Sequence, residues 1–182
     1  MNKATLDNVE NAMEDPIINR VVNSGLITFN LEDYYQPGER VVIDIRHQLF
    51  QELILKEKDF RDFIKQHDWS QYKNKYVAIT CTADAIVPQW AFMLVAIALA
   101  PYAKFFVFGT LEELETEIFR RTLGTIDWTQ YQNAKIVVKG CSKVLVPAAI
   151  YIDVTRSLQP FAASLMFGEP CSTVPLYKKP KS

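Results

Sequence analysis

No apolar run in this sequence is long enough to cross a bilayer. The longest, from Trp90 to Ala100, has 11 residues between Pro88 and Pro101. As a helix it spans about 16 Å, against about 30 Å of hydrocarbon. It reads as a buried core helix, and no membrane partner is expected. The N-terminal residues are polar and acidic and lack the apolar core of a secretory leader. An excess of positive charge is also missing: 20 basic residues face 21 acidic ones, for a net charge of −1. No nucleic-acid partner is therefore expected. The basic group Lys178, Lys179 and Lys181 reads as a solvated end. Histidine is scarce, with 2 residues, and the 3 cysteines are far apart. An odd, scattered set excludes a disulfide framework and points to reduced thiols in the cytoplasm. No C-x-x-C or H-x-x-x-H spacing occurs, so a sequence-local zinc motif is absent.

What is present is ordinary globular material. The chain has 182 residues, 49% apolar and 23% charged, which fits one domain. Strands are predicted at 40–45, 75–81, 104–108 and 135–139, where β-branched and aromatic residues cluster, with a short extended piece at 26–29. Helices are predicted from Asp15-Pro16 to Gly25, through 49–64 in one or two pieces, over 88–100, from Thr110 to about 123, and from Pro147 to about 158. Thr110 and Glu113 form a capping-box pattern. Residues 164–182 read as mostly irregular, and 1–14 and 179–182 as flexible ends. Alternation of strands and helices predicts a single α/β domain of three layers. It would hold one mostly parallel sheet with helices on both faces.

The sequence repeats itself. Asp68-Trp69-Ser70-Gln71-Tyr72-Lys73-Asn74 matches Asp127-Trp128-Thr129-Gln130-Tyr131-Gln132-Asn133 at an offset of 59. Beyond the next strand, Cys81-Thr82 and Val87-Pro88 match Cys141-Ser142 and Val146-Pro147. The pattern predicts an internal duplication of about 60 residues, with halves at about 40–100 and 104–160. The Asp-Trp motif itself reads as turn, cap and core-edge material.

In open α/β sheets ligands sit outside the carboxyl ends of the strands. Cys81 and Cys141 fall there, each before a helix whose N-terminus attracts anions and activates thiols. Asp44, His47, Thr82, Asp84, Gly109, Thr110 and Ser142 are predicted on the same rim. Gly168-Glu169-Pro170 forms a rigid turn before Cys171-Ser172, a weaker echo of the Cys–hydroxyl–Val-Pro pattern. Cys81, Cys141 and Cys171 are candidate metal ligands if the turn folds over the rim. Asp84, Thr82, Ser142, Glu169 and Ser172 are candidate ligand contacts. The metal would be zinc or an iron–sulfur cluster, provided that the thiols converge. Strand spacing of about 4.8 Å permits that only for near neighbours.

The stretches at 67–74, 80–94, 139–141 and 158–178, above all Gly168-Glu169-Pro170-Cys171-Ser172-Thr173-Val174-Pro175, resemble the bacterial family known as domain of unknown function 2480. The resemblance implies no activity and transfers no catalytic residue. It implies an association with iron–sulfur cluster assembly. Three readings stay open. One is a non-catalytic accessory protein with a thiol-bearing ligand or metal site. Another is an enzyme with Cys81 or Cys141 as nucleophile and His47 or Asp44 as base. The last is an interaction scaffold, through a protein partner or a homodimer, with purely structural cysteines.

Overall fold

The computed structural model describes residues 25–140 and 143–180. The predicted helix at 15–25 lies almost wholly outside them. The strands are β1 (Leu26–Asn30), β2 (Arg40–Asp44), β3 (Tyr76–Thr80), β4 (Phe105–Phe108), β5 (Lys135–Lys139), β6 (Ser164–Glu169) and β7 (Ser172–Lys178). The helices are α1 (Glu57–Gln66), α2 (Gln89–Leu99), α3 (Leu111–Leu123) and α4 (Ala148–Leu158).

The expected single sheet is in fact two. β2, β3 and β4 form a wholly parallel sheet in that order. β1, β5, β6 and β7 form the second, parallel except for the β6–β7 hairpin. β4, expected to open a second half, pairs with β3 instead. The second sheet is opened by β1, whose Leu26 lies opposite Lys135. Two further corrections concern local structure. Only Glu57–Gln66 of the predicted helix at 49–64 is α-helical; Phe50 and Ile54 form an isolated bridge, with Gln51 and Glu52 at positive φ. The segment at 164–182 contains the β6–β7 hairpin rather than irregular chain. Its strand alternation is masked by Pro175, which sits on the edge strand β7, where a missing N–H is tolerated.

Helix α3 holds the two sheets together. Its residues Leu114 and Ile118 pack with Tyr76 and Ala78 of β3. Phe119 and Leu123, on an adjoining face, pack with Phe29, Ile136 and Val138 of the second sheet and with Ile150 and Val154 of α4. The other face of the first sheet is covered by α1 and α2, through Phe60, Ala91, Val95 and Leu99. The capping box at the start of α3 is complete: Thr110 Oγ1 accepts from the Glu113 N–H and the Glu113 carboxylate accepts from the Thr110 N–H. Arg40 of β2 reaches α3 with a two-pronged contact to Glu115, at 2.9 and 3.0 Å, and its guanidinium lies against the Tyr35 and Tyr76 rings.

Both Asp-Trp motifs adopt the same local structure. Asp68 and Asp127 cap 3-10 turns at Trp69–Tyr72 and Trp128–Tyr131, each accepting from the N–H and hydroxyl two residues on, at 3.0 and 2.6 Å. Asn74 and Asn133 then take φ of 61° and 57°, a left-handed conformation asparagine tolerates well. Their N–H groups donate to the Tyr102 and Phe161 carbonyls. Trp69 and Tyr131 are buried, as expected of core-edge aromatics.

Candidate functional site

The carboxyl ends of β2 and β3 carry the best-defined polar cluster. Asp44 ends β2 and caps the 3-10 turn Ile45–Gln48. Its carboxylate accepts from the N–H of Arg46 at 3.0 Å, the N–H of Thr82 at 3.1 Å and the Thr82 hydroxyl at 2.5 Å. Partial burial pushes this carboxyl up, but the hydrogen bonds from Thr82 and Arg46, together with the Arg46 charge, outweigh it and hold the group below its ordinary value. Arg46 also donates to Thr82 Oγ1 and to His47 Nε2, both at 3.3 Å. Asp44 thus ties the end of β2 to the loop after β3. A carboxylate engaged on both oxygens and held ionised serves as an acceptor and a tether, and it is poorly suited to be a general base near neutral pH.

The other predicted residues are more dispersed. Cys81 follows β3, half-buried against the first sheet's apolar cluster. Asp84 is exposed in the bend that follows. Cys171 is exposed at the turn between β6 and β7, beside exposed Ser172. That position overturns the reading in which all cysteines are core residues. Glu169, at the end of β6, pairs with Lys139 of β5 at 3.1 Å. Cys141 and Ser142 lie outside the described residues. Among the described residues, no three His, Cys, Asp or Glu side chains are grouped to hold a metal ion. His67 caps the end of α1 and its ring contacts the Tyr72 hydroxyl, away from the rim.

The sequence reading missed several participants. Arg46 is the centre of the Asp44 cluster. In the second sheet Asn30 caps the turn after β1, and Glu32 of that turn accepts from the N–H of Lys143, tying β1 to the loop after β5. The apolar tips of the two Val-Pro loops were also overlooked. Ile86 is 95% exposed and Leu145 82%. The signal was available: each stands immediately before Val-Pro, at the same offset of 59. A cavity of about 350 Å³ lies elsewhere, between β1 and the end of α3, lined by Thr28, Tyr34, Thr125 and Tyr131 among others. None of the predicted rim residues among the described ones lines it. Burial pushes the Tyr34 and Tyr131 hydroxyls up, so both stay protonated.

Fold and rim together define a two-sheet α/β protein whose loops at the strand ends are held by capping carboxylates and amides. Among the described residues no helix is long and apolar enough to span a membrane. A family model described as "Protein of unknown function (DUF2480)" matches residues 15–179, and the chain belongs to that family. No curated protein and no solved structure matches it.

Proposed function

We propose that this chain is a non-catalytic binding protein. It engages a protein partner through the carboxyl-end rim of its parallel strands, and it builds that rim twice by internal duplication. The observation carrying the reading is the pair of exposed apolar tips, Ile86 and Leu145, at matching places before the helices α2 and α4. Full burial of such a side chain is worth about 1.5–3 kcal/mol, so exposing one at each matching loop calls for a surface to cover it. Single exposed apolar residues are commonplace; the same exposure at both positions is not scatter.

The duplication is supported by more than the Asp-Trp motif. At the offset of 59, Ala91, Val95 and Leu99 correspond to Ile150, Val154 and Leu158, and all six are buried. The edge-on ring pair Phe92–Phe108 corresponds to Tyr151–Phe167. In this reading the copies interleave, with β1 belonging to β5 and β6 rather than to β2, so the halves at 40–100 and 104–160 give way to two interlocked units.

The test places a photo-crosslinking residue at Ile86 or at Leu145 in the protein's native host, with Lys58 as an exposed control. One common crosslinked protein from both tips, lost in the Ile86→Asp/Leu145→Asp variant, supports the reading. Background from both tips, or the same pattern from Lys58, removes it. The variant should keep its stability to within about 0.5 kcal/mol, as surface changes do.

A second reading adds a thiol ligand or metal, zinc or an iron–sulfur cluster, at the same rim. It is favoured by the exposure of Cys171 and the half-burial of Cys81, both free thiols suited to a reducing cytoplasm. Metal analysis after purification without an affinity-tag metal decides it. Stoichiometric zinc or iron, lost in the Cys81→Ser/Cys141→Ser/Cys171→Ser variant, supports a metal; traces unchanged by the substitutions refute one.

A further inference from the structure

β4 and β6 stand at corresponding places beside their central strands, β3 and β5. β6 carries the antiparallel strand β7 along its outer edge. Among the described residues no strand covers the outer edge of β4. A bare edge invites pairing, and proteins blunt it with charge or proline. β4 reads Phe-Phe-Val-Phe and has neither. By contrast the other outer strand of that sheet, β2, carries Arg40 and Asp44 at its ends.

A groove of about 780 Å³ touches both Val107 and Phe108. Consecutive strand residues point to opposite faces, and Val107 and Phe108 are the last two residues of β4, so the groove meets the strand at its carboxyl end. Its far walls are Glu112, Glu113 and Glu117 of α3 and Ala149 of α4. The cation lining it, Arg120, is already paired with Glu117 at 2.7 Å and Asp153 at 2.8 Å. Among the described residues the bare outer edge of β4 thus ends beside a groove that carries an apolar ring 66% exposed at Phe108 and net negative charge.

We infer that the outer edge of β4 is a docking site for an extended, basic segment of a partner protein, added antiparallel as β7 is added to β6. Main-chain hydrogen bonds to the edge supply affinity. Phe108 receives an apolar side chain, and exposed Glu112, backed by the net negative charge of the α3 wall, selects lysine or arginine on the side facing α3. The site goes beyond the rim reading and uses neither Ile86 nor Leu145.

The test uses the full chain with two end-blocked octapeptides, one alternating lysine with valine and one alternating glutamate with valine. Binding is followed by fluorescence anisotropy, and contact by amide exchange at Phe105–Phe108. The lysine peptide should bind, slow exchange along β4, and weaken roughly tenfold in Glu112→Gln/Glu117→Gln. The Ile86→Asp/Leu145→Asp variant should bind it as the native chain does, which separates this site from the rim. The inference is overturned if neither peptide binds, if both bind alike, if binding leaves β4 exchange unchanged, or if the carboxylate substitutions have no effect.

Discussion

Helix α3 packs against both sheets, so removing its contact with one should weaken the whole chain. Phe119 is fully buried among Phe29, Ile136, Val138 and α4, on a face of α3 adjoining the one that meets the first sheet. Phe119→Ala should cost about 3–5 kcal/mol, the usual range for deleting a buried ring. With a urea dependence of about 2 kcal/mol per molar, the midpoint falls by roughly 1.5–2.5 M. The three tryptophans supply the assay, because they divide between the sheets: Trp69 and Trp90 pack with the first and Trp128 with the second. Single-tryptophan variants retaining Trp90 or Trp128 report each cluster separately by fluorescence. The shared helix requires both probes to move together by the same amount. If Trp128 shifts while Trp90 keeps its midpoint, the two sheets unfold independently and the reasoning fails.

Three further expectations follow from single contacts. Asp44→Asn should cost about 1 kcal/mol at pH 7, because asparagine can still cap the turn but loses the charge that strengthens the bonds from Thr82 and Arg46. The folded Asp44 carboxyl lies below its ordinary value, so its contribution is complete above about pH 4 and is lost as pH falls through the folded value; urea titrations of native and variant chains should converge there. Gly168 has φ of 117°, and a Cβ would lie 2.7 Å from the Ser172 carbonyl oxygen; Gly168→Ala should destabilise by more than about 1 kcal/mol, and an unchanged melting temperature would contradict the hairpin geometry. In a Cys141→Ser background, exposed Cys171 should react with a chromogenic disulfide well before half-buried Cys81; equal rates would contradict their placement.

Local pattern carried the strand and helix readings where composition and capping agreed. The β-branched runs gave β2, β3 and β5, and the Thr110–Glu113 pair marked the start of α3 correctly. The division into two sheets was not legible, because it depends on which strand β1 joins, and Leu26–Asn30 has nothing in its residue types that distinguishes β5 from β2 as a neighbour. The β6–β7 hairpin was hidden by Gly168, Pro170 and Pro175, residues that also mark irregular chain. The candidate site was legible in part. Strand-end logic located Asp44 and Thr82 together, since both follow from register. It missed Arg46, which joins them through a flexible side chain, and it ranked the thiols above Ile86 and Leu145 because cysteine is chemically conspicuous and exposed aliphatic residues are not.

Leu26 finds its partner Lys135 only after 109 intervening steps of chain, 135 − 26. At about 5–20 residues per second, a ribosome needs roughly 5–20 s to deliver β5 after β1 has emerged. For that interval the nascent chain holds a strand with no sheet to join, while β2, β3 and β4 can already assemble beside it. The first sheet lies within the continuous stretch 40–108, whereas the second cannot be cut out without it and can close only near the end of synthesis.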